Sequence, residues 1–414
     1  MRSVVHKLTL AFALTFVWSS IGLSCPAFFL AKRIPFSKKY DYLRRNVSLF
    51  TLEGKNWKQK AIQINDVSAE GVLNFELKAN SLNIKLKKND RVTIHPEDLG
   101  ASRWNRTLPP PCGAERLVEV YSHKNYGYIA FCKKKQFQLE PEIVYDGKKR
   151  LLTANRYSYE HNEKNHLNFA SIDLNLAGNL KTIASHSEQL IRADVRNFFT
   201  MEFTADDISA NLEHELPGSV GVLGLLHFYL KILFFSIDLS LTPEVQFYND
   251  SLYMPMSLYS PVDASKYLNE GSGIIYSWRN HDGVVWNEKA SKMPVFKEKG
   301  SFHKDVKKFC RTKFCQFTLE GKVEEKTVKM SFSLEKDLVE RNFYPQVFWG
   351  ISDLSQSFGE SVSSSPEQRM GVFFETSKLP KGNHFWDFWI SMGKDYGVCP
   401  AKIRLRPAKW RTKR

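Results

Sequence analysis

The sequence predicts a mainly β protein: antiparallel sheets of long strands, forming a sandwich or an open barrel, with few short helices. Three observations predict it. Apolar residues recur at every second position over long stretches, which places them on one face of a strand. Turn-forming residues punctuate these stretches. No segment carries the full apolar stripe of an amphipathic helix.

Taken in chain order, Leu73, Phe75 and Leu77, then Leu82, Ile84 and Leu86, read as a hairpin turning at Ala79-Asn80-Ser81. Val118 to Tyr121 and Tyr126 to Phe131 form a second hairpin around His123-Lys124-Asn125. Ile172, Leu174 and Leu176 alternate with Asp173 and Asn175. From Ile191 to Ala205 every odd position except Asn197 is apolar, which predicts one long half-buried strand.

Val220 to Phe235 is nearly all apolar, interrupted by His227 and Lys231. It is short for a membrane span and holds an ammonium, so it reads as a buried strand or short core helix, with a membrane-touching or partner-binding hairpin as the other reading. It enters a further alternation, Ser236 to Tyr248, where Pro243 predicts a bend or an edge.

Asp282-Gly283 is a hairpin-turn signal between Ile274–Trp278 and Val284–Trp286. Val328, Met330, Phe332 and Leu334 alternate with Lys329, Ser331 and Ser333. Val372–Glu375 and Phe385–Ile390 flank a loop at Leu379 to Asn383. Ser187–Arg192 and Leu338–Arg341 can each supply a turn or two of helix.

With 414 residues, 43% hydrophobic and 25% charged, the chain is neither disordered nor low-complexity. Residues 1–24 have the plan of a secretory signal: Arg2 and Lys7, an apolar run from Leu8 to Trp18, then small Gly22 and Ser24. Cys25 just after Leu23-Ser24 admits a lipoprotein variant, although Gly22 stands where a lipobox places Leu. Polar breaks divide the rest into an N-terminal β domain over 25–150 and a larger one over 151–414, with a further split near 295. The protein is therefore expected in the periplasm, in the cell envelope or outside the cell.

Six cysteines in an exported chain point to disulfides rather than to thiolate metal sites. Cys112 and Cys132 flank the second hairpin, and Cys310 and Cys315 close a tight loop, which leaves Cys25 and Cys399. No metal or cofactor is expected. His161 and His166 are five apart, off register for one ion on a helix or a strand, and read as solvated loop residues. His303 with Cys310 and Cys315 matches no common zinc spacing. Gly359-Glu360-Ser361-Val362-Ser363 lacks the final Gly of a nucleophile elbow.

Charge is the most repeated functional signal. Lys+Arg number 59 against 44 Asp+Glu, a formal +15. The clusters that stand out are Lys133-Lys134-Lys135 and an acid-free tail with Lys402, Arg404, Arg406, Lys409, Arg411, Lys413 and Arg414. Clustered positive charge attracts anions whatever their sequence. The expectation is a non-enzymatic exported protein binding an acidic envelope component, anionic lipid or glycan, at or near a membrane surface, with nucleic acid disfavoured. A carrier of an apolar ligand in a curled sheet is one alternative. A secreted hydrolase whose residues converge from separate strands is the other. Aromatics make up 13% of the chain and are densest at Phe385-Trp386-Asp387-Phe388-Trp389, read as inter-sheet packing.

Overall fold

A computed structural model describes residues 25–35, 42–67, 84–106, 108–122, 124–134, 139, 143–204, 207–232, 235–239, 244–260, 262–281, 284–286, 307–310, 314–324, 326–343, 345–351, 368–393 and 403–408. The secretory leader, the Leu73–Leu82 part of the first hairpin, His303 and the Gly359–Ser363 segment lie outside these residues. Among them the strands form four sheets of three, five, nine and ten strands, and every strand pairing is antiparallel. None of these helices is long and apolar enough to cross a membrane.

The nine- and ten-stranded sheets face each other, and alternation is what makes this possible. In strand Lys326–Glu335, Val328, Met330, Phe332 and Leu334 are all buried on the inner face, while Lys329 on the outer face pairs with Glu320 at 3.1 Å. Phe332 lies edge-on to Phe374 of the opposite sheet at 5.7 Å, and Tyr159 meets Phe247 at 5.1 Å. Trp386 and Phe388 point into the same core, whereas Trp389 packs on the other face against Tyr253. The inner faces pack on each other through this cluster, and among the described residues neither sheet closes into a barrel. The two sheets thus form a sandwich-like pair.

The three-stranded sheet is a buried middle layer. Strand Ala27–Leu30 turns Ala27 and Phe29 toward the five-stranded sheet, against Val118, Ile129 and Phe131. It turns Phe28 the other way, onto Tyr253 and Trp389 of the ten-stranded sheet. The five-stranded sheet is completed from the far end of the chain: Arg404–Pro407 pairs with Arg116–Ser122.

Several elements differ from the sequence reading for identifiable reasons. The 191–205 alternation is a hairpin rather than one strand: Asn179–Asp194 turns back as Thr200–Phe203, with Ile191 opposite Phe203. Asn197, the one polar odd position, sits in the turn with φ 61°, a region Asn tolerates. Odd residues pair with odd ones, so the period of two survives the reversal unseen. Ser187–Arg192 belongs to the Asn179–Asp194 strand, not to a helix, and follows a bulge where His186 has φ 47°. The other helix expectation corresponds to the short helix Lys336–Glu340.

Asp282-Gly283 lies outside the described residues, and the strands on either side of it do not pair with each other. Gly273–Asn280 lies in the nine-stranded sheet and Val284–Trp286 in the ten-stranded one, so the two strands belong to different layers. The apolar Val220 segment is strand Gly221–Ile232. It pairs with Phe235–Leu239 and Glu244–Tyr248 along one edge, and the register shifts by two residues on passing Pro243, itself outside the described residues.

Cys112 and Cys132 form a disulfide with Cα atoms 5.6 Å apart. Cys25 and Cys315 each belong to a disulfide of their own, and the strand register sets Cys310 directly opposite Cys315. Cys399 lies outside the described residues.

Candidate functional site

The outer face of the five-stranded sheet assembles a row of aromatic rings and guanidinium groups. Strands Arg116–Ser122 and Asn125–Phe131 form the expected hairpin, with Tyr121 opposite Tyr126 and Glu119 opposite Tyr128. On one face alternate Val118, Val120 and Ile129, all in the core; on the other stand Glu119, Tyr121, Tyr126 and Tyr128. Strand Arg404–Pro407 then places Arg404 beside Tyr121 and Arg406 beside Glu119 on that second face.

The row has a definite order. The Arg406 guanidinium lies 4.7 Å from the centre of the Tyr121 ring. Tyr121 stacks on Tyr126 at 6.5 Å, and Arg103 lies over Tyr126 at 5.6 Å. Cation–ring attraction of this kind contributes about 0.5–1 kcal/mol at exposed sites. Glu119, buried beneath, accepts hydrogen bonds from Arg406 and, at 3.2 Å, from Arg103. Its hydrogen bond and charge raise the Arg103 pKa further.

The loop that brings Arg103 into place depends on a missing side chain. A Cβ on Gly127 would meet Leu99 at 2.6 Å and Leu49 at 3.2 Å. Without it, Gly100 exchanges backbone hydrogen bonds with Tyr126 and the loop lies flat on the hairpin. Trp104 packs edge-on to Tyr128, and its backbone N–H donates to the Tyr128 hydroxyl at 2.8 Å. Burial pushes the Tyr128 phenol up to about 12, so it stays a neutral donor.

Of the basic residues singled out in the sequence, this face unites Arg404 and Arg406. Lys133 and Lys134 are exposed at the opposite end of the same hairpin, roughly 20 Å along the strand from Tyr126, and Lys133 sits 3.8 Å from Glu115. Lys135, Lys402, Lys409, Arg411, Lys413 and Arg414 lie outside the described residues. Arg103, Glu119, Tyr121 and Tyr126 escape a charge-cluster reading because none is in a run. The alternation of the hairpin places the three hairpin residues on one face, but nothing local announces Arg406, 287 residues from Glu119.

The histidine pair differs from its sequence reading. His161 ends strand Tyr157–His161 and is buried rather than solvated, and His166 comes within 5.5 Å of it. His161 Nδ1 donates to the His166 carbonyl at 2.8 Å, which leaves Nε2 as its lone pair. His166 Nδ1 instead accepts from the Leu212 N–H at 2.8 Å, so its lone pair is already used. Burial lowers both pKa values, that of His161 to about 4. Two neutral rings with one lone pair between them do not make a shared metal site.

No protein-family model matches the chain, and no curated protein matches it. Among solved structures it is similar to an alpha-mannosidase from Enterococcus faecalis V583, at 7% identity and a TM-score of 0.41, covering 93% of this chain and 44% of that one. A glycosyl hydrolase family 38 protein from Enterococcus faecalis gives 8% identity, the same 0.41, and coverage of 93% and 46%. The gh92 family glycosyl hydrolase ccman5 gives 8% identity and 0.24, covering 61% and 32%. The chain spans less than half the length of each. At this level of similarity nothing about reaction or substrate passes from those proteins to this one.

Proposed function

We propose that this chain is a non-enzymatic, exported β protein that holds an acidic surface glycan against the outer face of its five-stranded sheet. The row Arg406–Tyr121–Tyr126–Arg103 carries the reading. With Arg406 and Arg103 over their outer faces and the two rings stacked on each other, the half-buried tyrosines meet a bound sugar with ring edges and hydroxyls. A guanidinium has five donors in a planar fork matched to carboxylate or sulfate. Glu119 uses the inward donors of Arg406 and Arg103, which orients both groups without covering their outer edges. Arg404, exposed on the same face, adds positive charge. Export rests on the leader over 1–24 and on the Cys112–Cys132 disulfide, since disulfides persist in oxidising compartments.

The test is binding of the purified full chain to polygalacturonate and dextran sulfate, with neutral dextran and anionic phospholipid vesicles alongside. Binding to the acidic polysaccharides alone is expected. It should weaken by about tenfold or more between 50 and 500 mM NaCl, because counterion screening shortens the reach of exposed charges. Tyr121→Ala and Arg404→Ala should each weaken it several-fold while leaving the melting temperature in place. Equal affinity for neutral dextran, or binding confined to vesicles, would overturn the reading.

A further inference from the structure

A second polar cluster lies at the opposite side of the three-stranded sheet, where that sheet meets the sandwich. Strand Arg91–Ile94 runs into His95, and a single turn at Pro96–Asp98 follows. Asp250 sits in the two-residue turn between strands Glu244–Tyr248 and Ser251–Ser260 of the ten-stranded sheet. His95 and Asp250 are buried and Glu97 is exposed at the rim. One ligand-type atom from each of these three side chains lies within 4.8 Å of those of the other two.

The hydrogen bonding of Asp250 is incomplete. Its Oδ1 receives His95 Nε2 and the Ser251 hydroxyl, each at 3.2 Å, longer than the 2.7–2.9 Å of a well-formed charge-assisted bond. Its Oδ2 is buried with no hydrogen-bond partner. Leaving a buried carboxylate oxygen unmatched is costly, and a buried group of this kind calls for a partner. The backbone around it is held firmly: the Met392 N–H donates to the Asp250 carbonyl at 2.8 Å, and the Tyr157 hydroxyl donates to that of Ser251 at 3.1 Å. Arg156 braces Glu97 from outside with bonds of 3.0 and 3.2 Å.

We propose that His95, Glu97 and Asp250 form a binding site for one divalent cation of the Zn²⁺ or Mn²⁺ type. One imidazole and two carboxylates are a donor set suited to these ions, softer than the all-oxygen sets of Mg²⁺ and Ca²⁺. The ion takes the bare Asp250 Oδ2 as a ligand and replaces the proton that His95 Nε2 shares with Asp250 Oδ1, that proton moving to Nδ1 or, from a charged ring, to solvent. Glu97, held at the rim by Arg156, supplies the third ligand. Because its ligands come from two layers, the ion acts as a clip between the three-stranded sheet and the sandwich. A ligand bound only by the folded state raises stability in proportion to the logarithm of its concentration.

The test uses untagged full-length protein stripped with EDTA and titrated calorimetrically with ZnCl₂, MnCl₂ and MgCl₂, with bound metal counted by mass spectrometry. Saturable uptake of one Zn²⁺ or Mn²⁺ per chain and a higher melting temperature with the ion are expected. Asp250→Asn should abolish uptake. Since a change at that buried position can also unfold the chain, Glu97→Gln at the exposed position decides: uptake at least tenfold weaker, with the melting temperature of the stripped protein unmoved. No saturable uptake of either ion, or uptake unaffected by Glu97→Gln and His95→Gln, overturns the proposal.

Discussion

The space between the two large sheets and the joint that seats the three-stranded sheet on them are both buried, yet the first is almost wholly apolar and the second adds directional polar contacts to its apolar packing. Between the large sheets the ring contacts are apolar: Phe332 against Phe374, Tyr159 against Phe247, Trp386 against Phe374. At the joint, polar contacts cross beside the packing of Phe28 on Tyr253 and Trp389. Arg91 meets Glu244 at 3.4 Å, and Glu244 also receives Gln246 at 2.7 Å. Gln63 accepts the backbone N–H groups of Val220 and Gly221, and Ser219 donates to the Ile62 carbonyl. His95 meets Asp250. Apolar burial has no direction, so it tolerates many arrangements of two packed sheets. Hydrogen bonds and ion pairs are directional, so they set the one orientation in which the middle layer sits.

Four experiments would break or sharpen that contrast. The largest expected effect is in the apolar interior, where Phe332→Ala removes a buried ring and leaves a cavity; urea unfolding should show a loss of about 4 kcal/mol. At the joint, Glu244→Leu strands the half-buried Arg91 without its ion pair and should cost about 3 kcal/mol. Adding Arg91→Met to it should recover most of that loss, since a matched apolar pair no longer buries a lone charge. A double variant worse than the single one would mean that the joint does not depend on this pair.

The third experiment reads pH. The ring of His161 has its pKa depressed from 6.5 to about 4 by burial. Between those values the unfolded chain holds a proton that the folded chain refuses, so stability falls as pH drops through this window. At pH 4.5 the loss from this one group is roughly 2–3 kcal/mol. His161→Phe should therefore lose less stability than wild type between pH 7 and 4.5, measured by urea midpoints; an unchanged difference would assign the acid limb to other groups. The smallest effect belongs to an apolar residue that is not buried at all. Phe198, 81% exposed at the tip of the 191–203 hairpin, should tolerate Ser with a change within about 0.5 kcal/mol.

The apolar interior is also the part most legible in the sequence. Val328 to Leu334 and Ile172 to Leu174 announce strands and name the buried face, because each side chain's direction follows from the local pleat. The joint left no such trace. Arg91 and Glu244 are 153 residues apart, and His95 and Asp250 are 155 apart. The candidate glycan-binding face falls between the two cases. Its hairpin and the Cys112–Cys132 bridge at its base follow from short-range pattern, while Arg406 arrives from the other end of the chain.

What the residues by themselves determined is the class of structure, antiparallel and β, together with which side chains along each strand turn inward. A two-residue period is a property of one strand and survives a turn, as the 191–203 hairpin demonstrates. What only the tertiary structure decided is partnership: which of four sheets a strand joins, that Gly273–Asn280 and Val284–Trp286 belong to different layers, and that Arg406 comes to rest over Tyr121. Strand edges offer the same hydrogen-bonding groups all along the chain. The choice among them is made by the packing of whole faces and by the directional contacts that lock the layers together.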